Sequence, residues 1–220
     1  MFDANCLKLM FVAGSQDFYH IKGGKNDRIN VLLDTLELAL QSQITAFQFR
    51  QKGDLALQDP VEIKRLALEC QKLCKKYGAP FIVNDEVQLA LELKADGVHV
   101  GQEDMAIEEV VTLCQKRLFI GLSVNTLEQA LKARHLDAVA YLGVGPIFPT
   151  PSKKDAKQVV GVELLKKIHD SGVKKPLIAI GGITIHNVSK LHEYGGIAVI
   201  SAIAQAKDKA LVIGKLLNNA

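Results

Sequence analysis

Short apolar runs alternate with longer segments of helical periodicity along the whole chain, and this alternation limits the possible folds more than any other feature. Most of the runs are almost continuously apolar, as is typical of parallel strands that helices cover. Eight runs predict strands, at residues 7–13, 46–50, 81–84, 97–100, 118–122, 140–144, 177–180 and 197–200.

Helical periodicity fills the intervals between these runs. Predicted helices cover residues 28–41, 60–77, 87–93, 107–116, 126–133, 161–171 and 186–194, and a last helix begins near Ser201. No linker or low-complexity segment divides the series, so residues 1–220 are expected to form a single α/β domain. Eight strand–helix units in 220 residues match a closed (β/α)8 TIM barrel. An open, doubly wound sheet is the alternative that the alternation alone leaves.

Composition narrows the classes of partner. The formal net charge of +3 is small, and the lysines are spread along the helices, which argues against nucleic-acid binding and favours a small anionic ligand. No apolar run is long enough to span a membrane. The four cysteines form no CxxC pair, which favours free thiols and a cytoplasmic location. The oligomeric state is not determined by these features.

Polar residues and glycines follow most of the predicted strands. In a barrel these positions share one face, where active sites of such enzymes lie. They are Arg50 and Lys52 after the second strand, Asn84 and Asp85 after the third, Gln102 and Asp104 after the fourth, Ser123 after the fifth, Gly181 and Gly182 after the seventh, and Ser201 after the eighth.

The last two strand ends predict a phosphate site. Gly181 and Gly182 leave backbone N–H groups unshielded, and Ser201 lies where the next helix begins. Each feature has a simpler explanation, a tight turn for the glycines and a helix cap for the serine. Their combination after strands seven and eight favours phosphate.

Asp85 and Asp104 follow adjacent predicted strands and are candidate ligands of Mg²⁺, which prefers oxygen donors. A helix cap and a surface acid are the alternatives for these two residues. Arg50, Lys52 and Lys153 support the metal interpretation, because cations and Mg²⁺ together neutralise a diphosphate.

The segment 145–160 is longer than most strand-to-helix connections, and such loops often close over an active site. We therefore expect it to order over bound ligand and to bring Lys153 with it. An ordinary surface lysine is the alternative.

Seven segments of the chain resemble the thiamine phosphate synthase family. They are QFRQK (48–52), VND (83–85), GVHVGQED (97–104), GLS (121–123), GVGPIFPTPSKK (143–154), AIGGI (179–183) and VISAI (199–203). GVHVGQED followed by GPIFPTPSKK is highly specific, whereas AIGGI occurs in many phosphate-binding barrels. The resemblance implies transfer of a hydroxymethylpyrimidine from its diphosphate to a thiazole phosphate, with thiamine phosphate and pyrophosphate as products.

The resemblance also implies roles for particular residues. Lys153, Arg50 and Ser123 would act on the departing diphosphate, and Asp85 and Asp104 would hold Mg²⁺. Phe49, Gln51 and Pro151 lie within the same motifs and belong to the expected binding set. The pyrimidine diphosphate would be held by Gln48, Arg50, Lys52, Asn84, Ser123 and Lys153, and the thiazole phosphate by Thr150, Ser152, Gly182, Ile200 and Ser201.

Several positions depart from the family pattern. Gln51 replaces a common Glu, Ser152 replaces a usual Thr, and the first strand lacks the usual sequence. Asn125 stands where the related thiazole tautomerase has its acid–base His, which argues against tautomerase activity. His99 lies within a predicted strand, where a hydrogen-bonded structural imidazole is favoured over a catalytic base.

Two further functions remain as alternatives. A phosphosugar isomerase or lyase on this fold would need a general acid–base pair, and the strand ends offer no convincing one. A non-catalytic sensor of phosphorylated ligands would not need paired metal carboxylates.

Overall fold

The computed structural model describes residues 2–150 and 158–219, and these form a closed barrel of parallel strands in sequence order. The first strand pairs with both the second and the eighth, which closes the barrel. The predicted fold class is therefore confirmed. The strands are β1 (Leu9–Ala13), β2 (Ala46–Phe49), β3 (Phe81–Asn84), β4 (Gly97–Val100), β5 (Phe119–Val124), β6 (Val139–Val144), β7 (Leu177–Ile180) and β8 (Gly196–Val199).

Helices surround the barrel and begin and end at recognisable signals. Asp59 caps the N-terminus of the helix Pro60–Tyr77 by accepting from the backbone N–H of Val61, and Gly78 ends this helix with a φ of 71°. Within the described residues the helices are α1 (Lys25–Gln41), α2 (Pro60–Tyr77), α3 (Val87–Leu93), α4 (Ile107–Cys114), α5 (Leu127–Ala133), α6 (Gly161–Asp170), α7 (Ser201–Ala204) and α8 (Lys209–Asn219).

The prediction of a helix over residues 186–194 is wrong. This segment contains only a short 3-10 helix, Val188–Lys190. The Asn187 side chain donates to the carbonyl of Gly182 at 2.9 Å and accepts from the N–H of Thr184 at 2.8 Å. Such local side-chain bonds compete with the helical ladder.

The last predicted helix is divided in two. Helix α7 starts at Ser201 as expected but ends at Ala204, and α8 follows from Lys209. The Asp208 carboxylate accepts from the N–H of Leu211 at 2.9 Å, which provides the second helix with its own N-cap.

Side chains of each strand alternate between two cores. The larger core lies between strands and helices and contains Phe11, Phe47 and Phe81. The smaller core fills the barrel interior and contains Met10, Ile82 and Tyr141 among others. Because successive strand residues face opposite sides, strand position decides which side chains reach the barrel interior.

The cysteines contribute to packing. Cys70, Cys74 and Cys114 are free and buried, and Cys6 is partly exposed. Burial raises the pKa of Cys70, so its thiol stays protonated at neutral pH. Of the helices described here, none combines the length and the apolar character needed to cross a bilayer.

Candidate active site

A cavity of about 290 Å³ opens at the C-terminal end of the barrel, and we call it the mouth cavity. It lies on the face where barrel enzymes hold their active sites. Ten of the residues expected at the site line it, and they come from most of the strand ends. These are Arg50, Lys52, Asn84, Asp85, Asp104, Ser123, Thr150, Gly182, Ile200 and Ser201.

Three expected residues of the second strand and its loop do not line the mouth cavity. Phe49 faces the helices, where its ring centroid lies 6.2 Å from that of Phe81. Gln51 accepts from the Ser15 hydroxyl at 3.2 Å and from the N–H of Leu57 at 3.0 Å, so it ties two loops together.

Gln48 does face the barrel interior, but it lies below the mouth cavity. Its amide nitrogen is 3.5 Å from the sulfur of Met10, a residue of the interior core. Strand alternation accounts for the difference between Gln48 and Phe49, which are neighbours in sequence and face opposite sides.

Lys52, Asp85 and Asp104 form a compact charge cluster at the rim. The Lys52 nitrogen lies 2.9 Å from Oδ2 of Asp85 and 3.7 Å from Oδ1 of Asp104. Asp104 also accepts from the backbone N–H of Gly101 at 2.8 Å. With one positive and two negative groups, the charge cluster attracts a further cation.

The two carboxyl groups of the charge cluster differ in acidity. Burial raises the pKa of Asp85, and the neighbouring Asp104 charge adds to this effect although Lys52 opposes it. Burial acts to raise the pKa of Asp104 too, but hydrogen bonds from Gly101 and Asp85 and the Lys52 charge outweigh it and lower that pKa. Asp104 is therefore the group that ionises first.

The backbone holds Asp85 in place. Its φ of 63° lies in the left-handed region, which non-glycine residues adopt at some cost and often at functional sites. Its N–H donates to the carbonyl of His99 at 2.8 Å, which joins the ends of β3 and β4. Both carboxylates are thus brought to adjacent strand ends, as the sequence predicted.

This donor set suits Mg²⁺. Within residues 2–150 and 158–219, no group of three or more His, Cys, Asp or Glu side chains is arranged to hold a metal. Mg²⁺ commonly takes only one or two protein carboxylates and completes its shell with water and substrate phosphate oxygens. The pair of Asp85 and Asp104 fits that requirement.

The opposite side of the mouth cavity contains Gly181, Gly182, Ile200 and Ser201, which we call the phosphate end. The φ angles of Gly181 and Gly182 are 101° and 65°, and a side chain at Gly182 would meet the carbonyl oxygen of Pro149. Glycine is therefore required here for backbone shape as well as access. Ser201 is the first residue of α7, where backbone N–H groups lack helical acceptors.

Pro151, Ser152 and Lys153 lie outside the described residues, as does the rest of the middle of the expected lid, to residue 157. Its described ends are attached beside the cavity. Phe148 donates its N–H to the carbonyl of Gly181 at 3.0 Å, and Val160 donates to Pro146 at 2.9 Å.

Several lining residues were given no binding or catalytic role from the sequence, among them His99, Glu103, Asn125 and Ile180. Three of these lining residues could have been found from the sequence, because every second side chain of a strand faces the barrel interior. Asn125 and Ile180 each lie two residues after Ser123 and Ile178, which line the cavity or face the interior. His99 lies two residues after Gly97, where a side chain would meet the ring of Phe119 beside the interior core.

A TIM barrel that carries an acidic cluster and a glycine-rich phosphate end around one cavity belongs to the class of enzymes that act on phosphorylated ligands. The family model for thiamine monophosphate synthase matches residues 18–203. The chain therefore belongs to the thiamine monophosphate synthase family.

Individual relatives agree with this assignment. The chain is 90% identical over 220 residues to a thiamine-phosphate synthase of Helicobacter pylori, with 100% of both chains covered. It is 51% identical to a thiamine-phosphate synthase of Pasteurella multocida, covering 97% of this chain and 96% of the relative. A thiamine phosphate pyrophosphorylase structure from Pyrococcus furiosus has a TM-score of 0.81 and 34% identity, covering 98% of this chain and 96% of that one.

Proposed function

We propose that this chain is a thiamine-biosynthesis transferase that joins a hydroxymethylpyrimidine diphosphate to a thiazole phosphate, giving thiamine phosphate and pyrophosphate. The observation that carries this proposal is the presence of two polar ends in one cavity. The charge cluster with Arg50 lies at one end, and Gly182 and Ser201 lie at the other. Two phosphorylated substrates need two such ends.

The diphosphate belongs at the end with Arg50, Lys52, Asn84 and Ser123. A guanidinium, an ammonium, an amide and a hydroxyl supply donors to the oxygens of the leaving group. Arg50 is only 4% exposed, so its charge acts in a poorly hydrated place where electrostatic stabilisation is stronger than in water. Lys153 completes this set from the family resemblance.

Asp85 and Asp104 would hold Mg²⁺, which supplies positive charge to the diphosphate oxygens. The chain's own contribution is to set those carboxylates 2.9 and 3.7 Å from one ammonium group, so that their charges are partly balanced before a metal binds.

The thiazole phosphate belongs at the phosphate end. Backbone N–H groups at Gly182 and Ser201 and the hydroxyls of Thr150 and Ser201 line this region and suit a monophosphate. Ser152 would add a second hydroxyl. Binding here would direct the thiazole nitrogen towards the pyrimidine at the centre of the cavity.

The reaction needs little from the protein beyond charge and alignment. The bond between the pyrimidine methylene carbon and the diphosphate oxygen breaks, and its electron pair leaves with pyrophosphate. The lone pair of the thiazole nitrogen then forms the new carbon–nitrogen bond, and no proton moves in this step. Positioned cations and donors stabilise the developing anion, and the two ends hold the reactants at reacting distance.

Asn125 favours the synthase over a tautomerase. It lines the cavity, and its amide cannot serve as the acid–base group that a tautomerase obtains from His at this position. We also propose that the protein works in the reducing cytoplasm, which its buried free thiols support.

Mass spectrometry of the products tests this proposal. The protein with both precursors and Mg²⁺ should produce thiamine phosphate, and omission of either precursor should abolish it. Binding of both ligands without product would favour the non-catalytic sensor.

A further inference from the structure

A chain of buried polar side chains lies directly below Ser123. The Ser123 hydroxyl is 2.8 Å from Nε2 of His99, and Nδ1 of His99 is 3.0 Å from the hydroxyl of Tyr141. Ser123, His99 and Tyr141, which we call the imidazole chain, connect the interior of the barrel to the mouth cavity.

Two interior glycines make room for the imidazole chain. A Cβ atom at Gly121 would collide with the Tyr141 ring and hydroxyl and with Nδ1 of His99. One at Gly143 would come within 2.9 Å of Cε1 of His99. Neither position has a positive φ, so contact with the rings is what excludes a side chain there. The sequence of β5 and β6 thus accommodates this particular pair of rings.

The burial of Tyr141 determines which group donates and which accepts in each hydrogen bond of the imidazole chain. Tyr141 is fully buried, and burial raises its pKa far above neutrality, so its hydroxyl keeps a proton to donate. The hydroxyl lies 3.0 Å from Nδ1 of His99, so the buried phenol donates its proton to this nitrogen rather than leaving it unsatisfied. An imidazole that accepts at Nδ1 carries its own proton at Nε2.

We propose that Tyr141 and His99 are positioning residues that fix the Ser123 hydroxyl as a hydrogen-bond donor to the diphosphate. His99 donates from Nε2 to the serine oxygen at 2.8 Å. The serine proton is then turned away from His99 and towards the cavity. A hydroxyl oriented in advance does not have to reorganise when negative charge develops on the leaving group. That the acceptor is a diphosphate rests on the proposed function, whereas the donor and acceptor roles within the imidazole chain do not.

The direction is measurable without substrate. Protein labelled with ¹⁵N in histidine should show the neutral Nε2–H tautomer for His99 in long-range ¹H–¹⁵N spectra at a pH of about 8, above the ordinary imidazole pKa. The His99→Asn variant identifies the resonances among the six histidines. A neutral Nδ1–H tautomer would exchange donor and acceptor in both hydrogen bonds of His99 and would overturn the proposal.

A double-mutant cycle tests whether Tyr141 acts through Ser123. Tyr141→Phe keeps the buried ring and removes only the hydroxyl. It should lower kcat by roughly two- to tenfold, the effect of one neutral hydrogen bond, with a smaller change in KM for the pyrimidine diphosphate. In a Ser123→Ala background the same substitution should have no further effect. Equal losses in both backgrounds would show a merely structural role and contradict the proposal.

Tyr77→Phe is the matched control, because it removes a tyrosine hydroxyl that bonds Gln41 and Glu37 outside the site. It should leave kcat unchanged. If the protein forms no thiamine phosphate, the proposed function fails while the tautomer measurement still decides the direction of the imidazole chain. If Tyr141→Phe does not fold, the measurement on the unmodified protein decides the proposal alone.

Discussion

The ammonium group of Lys52 lies 2.9 Å from the Asp85 carboxylate and is shared with Asp104 at 3.7 Å. One cation thus joins two acids that follow neighbouring strands. Most salt bridges described elsewhere on the protein are pairs between exposed helix residues, such as Lys64 with Glu92. Such surface pairs contribute little to stability, whereas a shared ion pair at a cavity rim concentrates charge where a ligand binds.

Removing either acid of the charge cluster should impair turnover. We expect Asp85→Asn and Asp104→Asn each to lower kcat by about ten- to a hundredfold, the effect of one charge-assisted contact, with unchanged circular dichroism. Asp59→Asn is the matched control, because asparagine also caps helices and Asp59 lies at the start of α2. Near-normal activity in both variants would contradict the assignment of Asp85 and Asp104 as Mg²⁺ ligands.

The stability of the protein should respond to Mg²⁺ in a pH-dependent way. The folded-state pKa of Asp85 is raised, so this group favours folding at acidic pH and loses that contribution as the pH rises through its folded pKa. Bound Mg²⁺ requires the ionised form and should offset the loss. Thermal unfolding with Mg²⁺ or with a chelator should therefore differ more at neutral than at acidic pH.

Asp85→Asn provides the control for that experiment, because it cannot ionise. Its melting temperature should depend much less on Mg²⁺ at every pH. A Mg²⁺ effect of the same size in the variant and in the unmodified protein would place the metal elsewhere.

The phosphate end should be sensitive to Ser201 and Gly182 in different ways. Ser201→Ala removes one hydroxyl donor and should weaken thiazole phosphate binding roughly tenfold without loss of stability. Gly182→Val should weaken it further by obstructing the backbone. It should also lower stability by about 1–3 kcal/mol or more, because its φ of 65° suits glycine and a Cβ meets Pro149.

Calorimetric titration and thermal unfolding separate the two effects. Gly214→Ala in α8 is the control, because an added Cβ there meets no atom within 4 Å. It should leave binding unchanged and stability equal or slightly higher. A selective loss of diphosphate affinity in Ser201→Ala would mean that the two ends are assigned in reverse.

Lys153→Ala should lower turnover more than it weakens thiazole phosphate binding. Lys153 has this role from the family resemblance, and Thr150, three residues earlier, lines the cavity. The expected loss in kcat is about ten- to a hundredfold if the contact forms chiefly in the transition state. Lys166→Ala on α6 is a control in a residue outside the cavity. Equal activity of the two variants would show that Lys153 has no part in turnover and is an ordinary surface lysine.

The order of strands and most helices were predictable because the alternation of apolar runs is a strong periodic signal. The strand ends were predictable for the same reason, since a barrel fixes which ends meet. The helix prediction for residues 186–194 failed because the spacing of Val188 and Leu191 suits a 3-10 turn as well as a helix. In addition, the Asn187 side chain forms hydrogen bonds with the nearby backbone.

Other features required three dimensions. Phe49 and Gln51 share a motif with Arg50, but they are its odd-numbered neighbours, and their side chains do not line the mouth cavity that Arg50 lines. The contact between His99 and Tyr141 joins residues 42 positions apart on non-adjacent strands. Only the glycine gaps at Gly121 and Gly143 make it possible, and no local pattern shows that.

Pyrophosphate release tests the central claim most directly, because it requires both ends of the mouth cavity and the charge cluster to act together. With both precursors and Mg²⁺, the protein should release pyrophosphate and thiamine phosphate in equal amounts. A chelator, omission of the thiazole phosphate, or Asp85→Asn should each suppress the release strongly. Equal pyrophosphate release with and without Mg²⁺ and thiazole phosphate would contradict the account.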